Sequence, residues 1–192
     1  EVGGRAFGGW DRISPDALRA RQRSVDRNRY VPLLLHPELS PPFRARLTPY
    51  LEALQRLYLA VAATSGAQVL WASNQRSVVT RKRATSAGLI DVGNVSDAVR
   101  QSDVVLSVCP PHAAVDVAKE VTALDFRGIY VDANAVSRAT AEEIGAIVAK
   151  SGANFVDGGI IGSPVKQAGT TRLYLSGDRA EEIARLFSKS ML

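Results

Sequence analysis

Before Gly66 every Lys/Arg position is an arginine, and Arg19, Arg21, Arg23, Arg27 and Arg29 form a cluster. A guanidinium meets phosphate or sulfate oxygens with two parallel N–H donors, so the cluster could hold such an oxyanion. It reads equally as the solvated face of an amphipathic helix. The cluster is short, has no interleaved aromatics and matches no nucleic-acid module, so no nucleic-acid partner is expected. Gly3, Gly4, Gly8 and Gly9 are spaced GGxxxGG, but they follow no apolar strand and lack the setting a phosphate loop needs. Cys109 is the single cysteine, which rules out an intramolecular disulfide. Nothing near it in sequence would stabilise a thiolate, so it reads as a small packed side chain. His112 suits an acid or base by its intrinsic pKa, or a helix cap by its position. His36 has less context. No residue is assigned as catalytic and no metal ligand is assigned.

These side chains need elements to position them. The runs 67–73, 103–111, 128–135, 154–159 and 171–178 are short, β-branched and nearly all apolar, as strands covered on both faces are. Between them, stretches at 76–87, 95–101, 112–122, 139–151 and 179–188 carry apolar positions at helical spacing. This alternation predicts right-handed βαβ units and an α/β, Rossmann-like, mostly parallel sheet with flanking helices. Ser137 or Thr140 is set to cap a helix that stops at Lys150 and Gly152. Ser96, with Asp97 behind it, reads as another helix start. Asn134 closes the 128–135 strand at the edge where such sheets bind ligands, or else makes an Asx turn. No GxGxxG loop precedes the alternating region.

At 192 residues with 46% hydrophobic side chains and a net charge of +5, the chain can bury a core in one or two small domains. It shows no bilayer-length apolar run and no signal-peptide pattern, so a cytoplasmic protein without a membrane partner is expected. It starts without Met and ends in a helix-like stretch, which reads as a fragment. Residues 1–65 are expected to be mainly helical, with one helix entered at Ser14-Pro15-Asp16 and another over 43–64. Prolines 37, 41 and 42 lie between them. The composition shift at Ser65-Gly66 divides this segment from a domain at 66–192.

From about Val69 to Leu192 the segments DVVLSVCPPHAAVDVA, GIYVDANAVSRATAEEIGAIV and FVDGGIIGSPVKQAGTTRLYLSG resemble the cofactor domain of the β-hydroxyacid dehydrogenases, the group that includes 6-phosphogluconate dehydrogenase. In residues 1–68, EVGGRAFGGWDRI, RSVDRNRYVPLLL and LYLAVAATSGAQVL resemble an internal stretch of bacterial sulfotransferases that use a phosphoadenylyl-sulfate donor. That likeness would have the arginines meet a sulfated nucleotide or an acidic partner.

The dehydrogenase resemblance implies an NADP-dependent oxidoreductase. It places Ser73, Asn74, Arg76 and Ser77 at the adenosine ribose. An arginine without an acid in that turn favours NADP over NAD; helix capping by Ser73 or Asn74 with a solvated Arg76 is the alternative. Val108, Cys109, Pro110 and Pro111 would pass under the cofactor, and Asn134 would lie near the nicotinamide. Gly162 and Ser163 fall in the substrate-binding signature, where Ile161 replaces a serine that holds the substrate carboxylate in many members. The substrate is an unspecified small molecule, and a homodimer is left open. Members of the family move the hydroxyl proton with a lysine on a helix beyond this domain. No lysine here has that context, so no turnover is expected from this polypeptide alone.

The resemblance also implies that the usual first strand is lacking. Direct pairing of 67–73 with 103–108 is then the expected arrangement, with the 43–64 helix replacing the first helix. Insertion of Tyr30–Leu35 between them is disfavoured because Pro32 has no ladder donor.

Overall fold

The computed structural model describes residues 29–33 (backbone only), 67–74, 76–109, 111–162, 169–188 and 190. Its strands are β1 (Arg29–Leu33), β2 (Gln68–Trp71), β3 (Ile90–Asp91), β4 (Val104–Ser107), β5 (Ile129–Asp132), β6 (Asn154–Gly162) and β7 (Thr171–Ser176). Helices α1 (Val78–Ser86), α2 (Val95–Arg100), α3 (Ala114–Thr122), α4 (Arg138–Ser151) and α5 (Ala180–Leu186) alternate with them. A 3-10 turn, Pro111–Ala113, leads into α3.

The seven strands form one sheet in the order β3-β2-β1-β4-β5-β6-β7. Neighbours are parallel from β3 to β6, and β7 returns antiparallel along β6. Every residue of β4 and β5 is buried, which is why these runs are apolar up to the Ser107 and Asp132 that end them. Side chains alternate between the faces. Val104, Leu106, Ile129, Val131 and Val156 pack with Ile183 and Leu186 of α5. On the other face Leu70, Val105 and Tyr130 meet Val99, Val117, Val121, Ile144 and Val148 from α2, α3 and α4. Each such valine, leucine or isoleucine contributes about 1.5–3 kcal/mol by leaving water.

The expected absence of a first strand is corrected by β1. It lies between β2 and β4, with Tyr30 beside Val69 on one side and Val104 on the other. The expected direct pairing of 67–73 with 103–108 therefore does not occur. The disfavoured insertion does occur, despite Pro32, which stands opposite Leu106. One proline removes one ladder donor, whereas an open gap would strand many buried N–H and C=O groups at about 1–3 kcal/mol each. The sheet thus draws a strand from before the composition shift at 65/66. The helices expected before 29 and over 43–64 lie outside the described residues.

Local signals mostly act as read. Ser137 accepts the Thr140 N–H at 3.2 Å to open α4, and Gly152 closes it at φ 82°. The start of α2 is a correction. Asn94, not Ser96, is its cap: it accepts the Asp97 N–H at 2.8 Å and donates to the Asp97 carboxylate at 2.7 Å. Asn94 is extended (φ −121°) while Ser96 is already helical. No described helix is long and apolar enough to cross a membrane.

Candidate functional site

The strand register places Leu33, Ser107, Asp132 and Asp157 in one row across the carboxyl ends of β1, β4, β5 and β6. Chain order reverses at β1, which has β2 on one side and β4 on the other. Ligands of doubly wound sheets bind outside this edge at this switch point.

Asn134 knits the edge together. Its Oδ1 accepts the Cys109 backbone N–H at 2.6 Å, and its Nδ2 donates to Ser107 Oγ at 3.2 Å and to Asp132 Oδ1. The residue is 5% exposed, so both amide hydrogens are committed within the protein. Asn134 thus holds the loop after β4 against the end of β5, and it reaches a ligand only through its remaining Oδ1 lone pair. Val108 is buried in the core and Cys109 is half-buried. Burial pushes the Cys109 thiol up to about 11, against a weaker opposing hydrogen bond from Ser107. It is protonated at neutral pH, which agrees with a packed rather than nucleophilic role.

Asp132 is fully buried, and burial raises its carboxyl to about 6; the Asn134 hydrogen bond opposes this and the nearby Asp157 charge adds to it. Its Oδ2 has no hydrogen-bond partner among the described residues, nor does the Tyr130 hydroxyl. Burial likewise raises Tyr130. With its carboxyl at about 6, Asp132 is mostly ionised at neutral pH and gains its proton only below that, so the clamp holds a buried charge at pH 7.

The turn after β2 is a second polar cluster. Ser73 is buried, and the Asn74 N–H donates to the Gly93 carbonyl at 2.8 Å. Ser77 caps α1 by accepting the Thr80 N–H at 3.2 Å. Arg81 folds back so that its Nε donates to the Arg76 carbonyl at 3.2 Å. Asp91 ties the turn to β3. Burial would raise its pKa, but hydrogen bonds from Gly93 and Ser73, helped by the Arg81 charge, hold it below the usual aspartate value. Ser107, Asp91 and Arg81 were not singled out from sequence. The available signal for Asp91 was the Asp91-Val92-Gly93 turn, since its carboxylate accepts the Gly93 N–H at 2.9 Å.

The other expected residues fall elsewhere. Pro111 and His112 are exposed on the 3-10 turn. Gly162 ends β6 at φ +133°, where a Cβ would collide with the Thr170 carbonyl and lie 2.8 Å from Thr171 Cα. Glycine is therefore required there by the hairpin itself. Pro110, Ser163 and His36 lie outside the described residues.

The family model for the NAD-binding domain of 6-phosphogluconate dehydrogenase matches residues 57–189. The chain belongs to this NAD-binding domain family. Its domain is 3-hydroxyacid-dehydrogenase-like. A conserved protein of unknown function with structural similarity to 3-hydroxyacid dehydrogenases superposes with TM-score 0.65 at 26% identity, covering 84% of this chain and 54% of its own. The Mycobacterium tuberculosis 3-hydroxyisobutyrate dehydrogenase shares the fold at TM-score 0.62 and 16% identity, over 85% of this chain and 53% of that one. So does the Myxococcus stipitatus imine reductase in complex with NADP+, at TM-score 0.58 and 18% identity, over 83% and 52%. An uncharacterized 28.5 kDa protein of Methanothermus fervidus is 39% identical over 87 residues, which is 45% of this chain and 34% of that protein. The chain thus spans about half the length of the matched structures and a third of this relative. The family model begins at residue 57, and none of these matches carries a sulfotransferase likeness.

Family membership implies a dinucleotide cofactor, and this chain's residues fit one end of it. The turn after β2 offers Ser73, Asn74, Ser77 and the guanidinium of Arg76, with no acid between Trp71 and Val78. The adenosine ribose end of such a cofactor suits this turn. The residues after β1 do not fit the usual pyrophosphate cradle. From Leu34 to Ser65 there is no glycine, whereas close backbone approach to a pyrophosphate relies on one.

Proposed function

We propose that the chain is the NADP-binding half of an oxidoreductase of the β-hydroxyacid dehydrogenase type, holding the cofactor mainly through its 2′-phosphate and adenosine. The observation that carries this reading is the arginine-bearing turn at the end of β2, whose own residues include no acid, beside the switch point of a sheet of this family; the neighbouring Asp91 carboxylate is taken up by Gly93 and Ser73. The Asn134 clamp supports it by fixing the loop after β4 along the same edge. The sulfated-nucleotide alternative rests on arginines outside the described side chains, and no observation favours it.

Calorimetric titration of the chain with NADPH and with NADH tests the proposal. NADPH should bind about tenfold or more tighter, and Arg76→Ala should remove most of that preference, because a charge-assisted hydrogen bond contributes about 1.5–3 kcal/mol. Equal affinities, or no binding of either cofactor, would overturn it.

A further inference from the structure

A groove of about 750 Å³ lies beside the cofactor edge, between α4 and the β6–β7 hairpin. Its walls are largely apolar, with Val136, Phe155 and Leu175 among them. Partners in an antiparallel pair share a face. The pairs Asp157 with Ser176 and Gly159 with Tyr174 therefore set a carboxylate, two small residues and an aromatic ring on one surface. Phe155 presses against α4, its ring 3.0 Å from where a Cβ on Gly145 would sit. At Gly159 a Cβ would meet nothing within 4 Å, so the missing side chain leaves the groove open next to Tyr174, which is 51% exposed.

Among the described residues the charges lining this groove do not balance. Arg138 and Glu142 line it but pair with each other at 2.7 Å. Asp157 also lines it, and no ion pair is formed by Asp157 among the described residues. Its one supporting contact is the Gly158 backbone, and partial burial raises its pKa. Arg172 stands opposite Ile161, further along the hairpin, and does not line the groove. A partly desolvated carboxylate without a cation, next to an accessible aromatic face and apolar walls, is complementary to a cation carried on an apolar body.

We propose that this groove binds an organic ammonium ion, its head on the Asp157 carboxylate and the Tyr174 ring and its apolar body against Val136 and Phe155. A carboxylate-bearing ligand of the same size is disfavoured because it would set two anions together. The site goes beyond the cofactor reading and requires no bound nucleotide.

The test titrates the cofactor-free 192-residue chain with benzylammonium, benzyl alcohol and benzoate, followed by amide chemical shifts and calorimetry. Benzylammonium should bind in the millimolar range with shifts at 155–161 and 174–176, at least about tenfold tighter than the alcohol, and benzoate should not bind. Asp157→Asn should weaken benzylammonium about tenfold. Gly159→Leu, which fills the open space without a backbone constraint, should abolish binding while the circular dichroism spectrum stays unchanged. Equal binding of ammonium and alcohol, or an Asp157→Asn variant with unaltered affinity, would overturn the proposal. NADPH affinity should be unchanged in Gly159→Leu, so failure of either site is seen separately.

Discussion

Replacing Asp132 by asparagine isolates the electrostatic cost of the buried clamp. Asp132 titrates at about 6 in the folded chain against an ordinary 3.8, so the folded state holds its proton more tightly than the unfolded state. Stability is then fullest below pH 3.8 and is lost as pH rises through about 6. At about 1.4 kcal/mol per pH unit, that gap removes roughly 3 kcal/mol by pH 8. A carboxamide has nearly the shape of the protonated acid, but its two N–H donors, against the acid's one O–H, face the position where Oδ2 has no partner, a cost that does not vary with pH. The stability of Asp132→Asn relative to the parent should therefore rise by about 3 kcal/mol between pH 4 and pH 8. Urea unfolding followed by circular dichroism at half-unit steps from pH 4 to 8 measures both curves. Parallel curves would refute the reasoning.

Other substitutions test the fold around the site. Asn134→Ala removes three hydrogen bonds at once and leaves the Cys109 N–H buried. It should destabilise by about 2–4 kcal/mol in urea unfolding. At Gly128 a Cβ would collide with the Asp103 carbonyl and lie 2.6 Å from the Phe126 ring, so Gly128→Ala should lower thermal stability by about 2 kcal/mol or more. Ser137→Ala removes the cap of α4 and should cost about 1 kcal/mol in the same melts. Arg76→Ala should weaken NADPH more than NADH in calorimetric titration.

The strand–helix alternation was legible because β4 and β5 are buried on both faces, and their composition shows it. The caps at Ser137 and Gly152 were legible because each acts within four residues of its own position. What failed depends on distant partners. Arg29–Leu33 is polar at one end and contains Pro32, and it becomes a strand because β2 and β4 flank it. β3 is two residues long, below what periodicity can register. The strands at 154–159 and 171–178 were expected, but residues 160–162 were read as part of a substrate signature rather than as strand, since Gly162 looks like a turn residue until Thr171 pairs with it. In the candidate site Asn134 was visible as a strand-ending residue, but its clamp was not, because Ser107 and Cys109 lie more than twenty positions away.

Crystallising the chain with NADPH tests the central claim most directly. The account predicts the 2′-phosphate at the turn after β2, within hydrogen-bonding reach of Arg76, and the nicotinamide end along the loop that Asn134 holds. A nucleotide bound elsewhere, or saturating NADPH that leaves the turn at 73–77 empty, would contradict it.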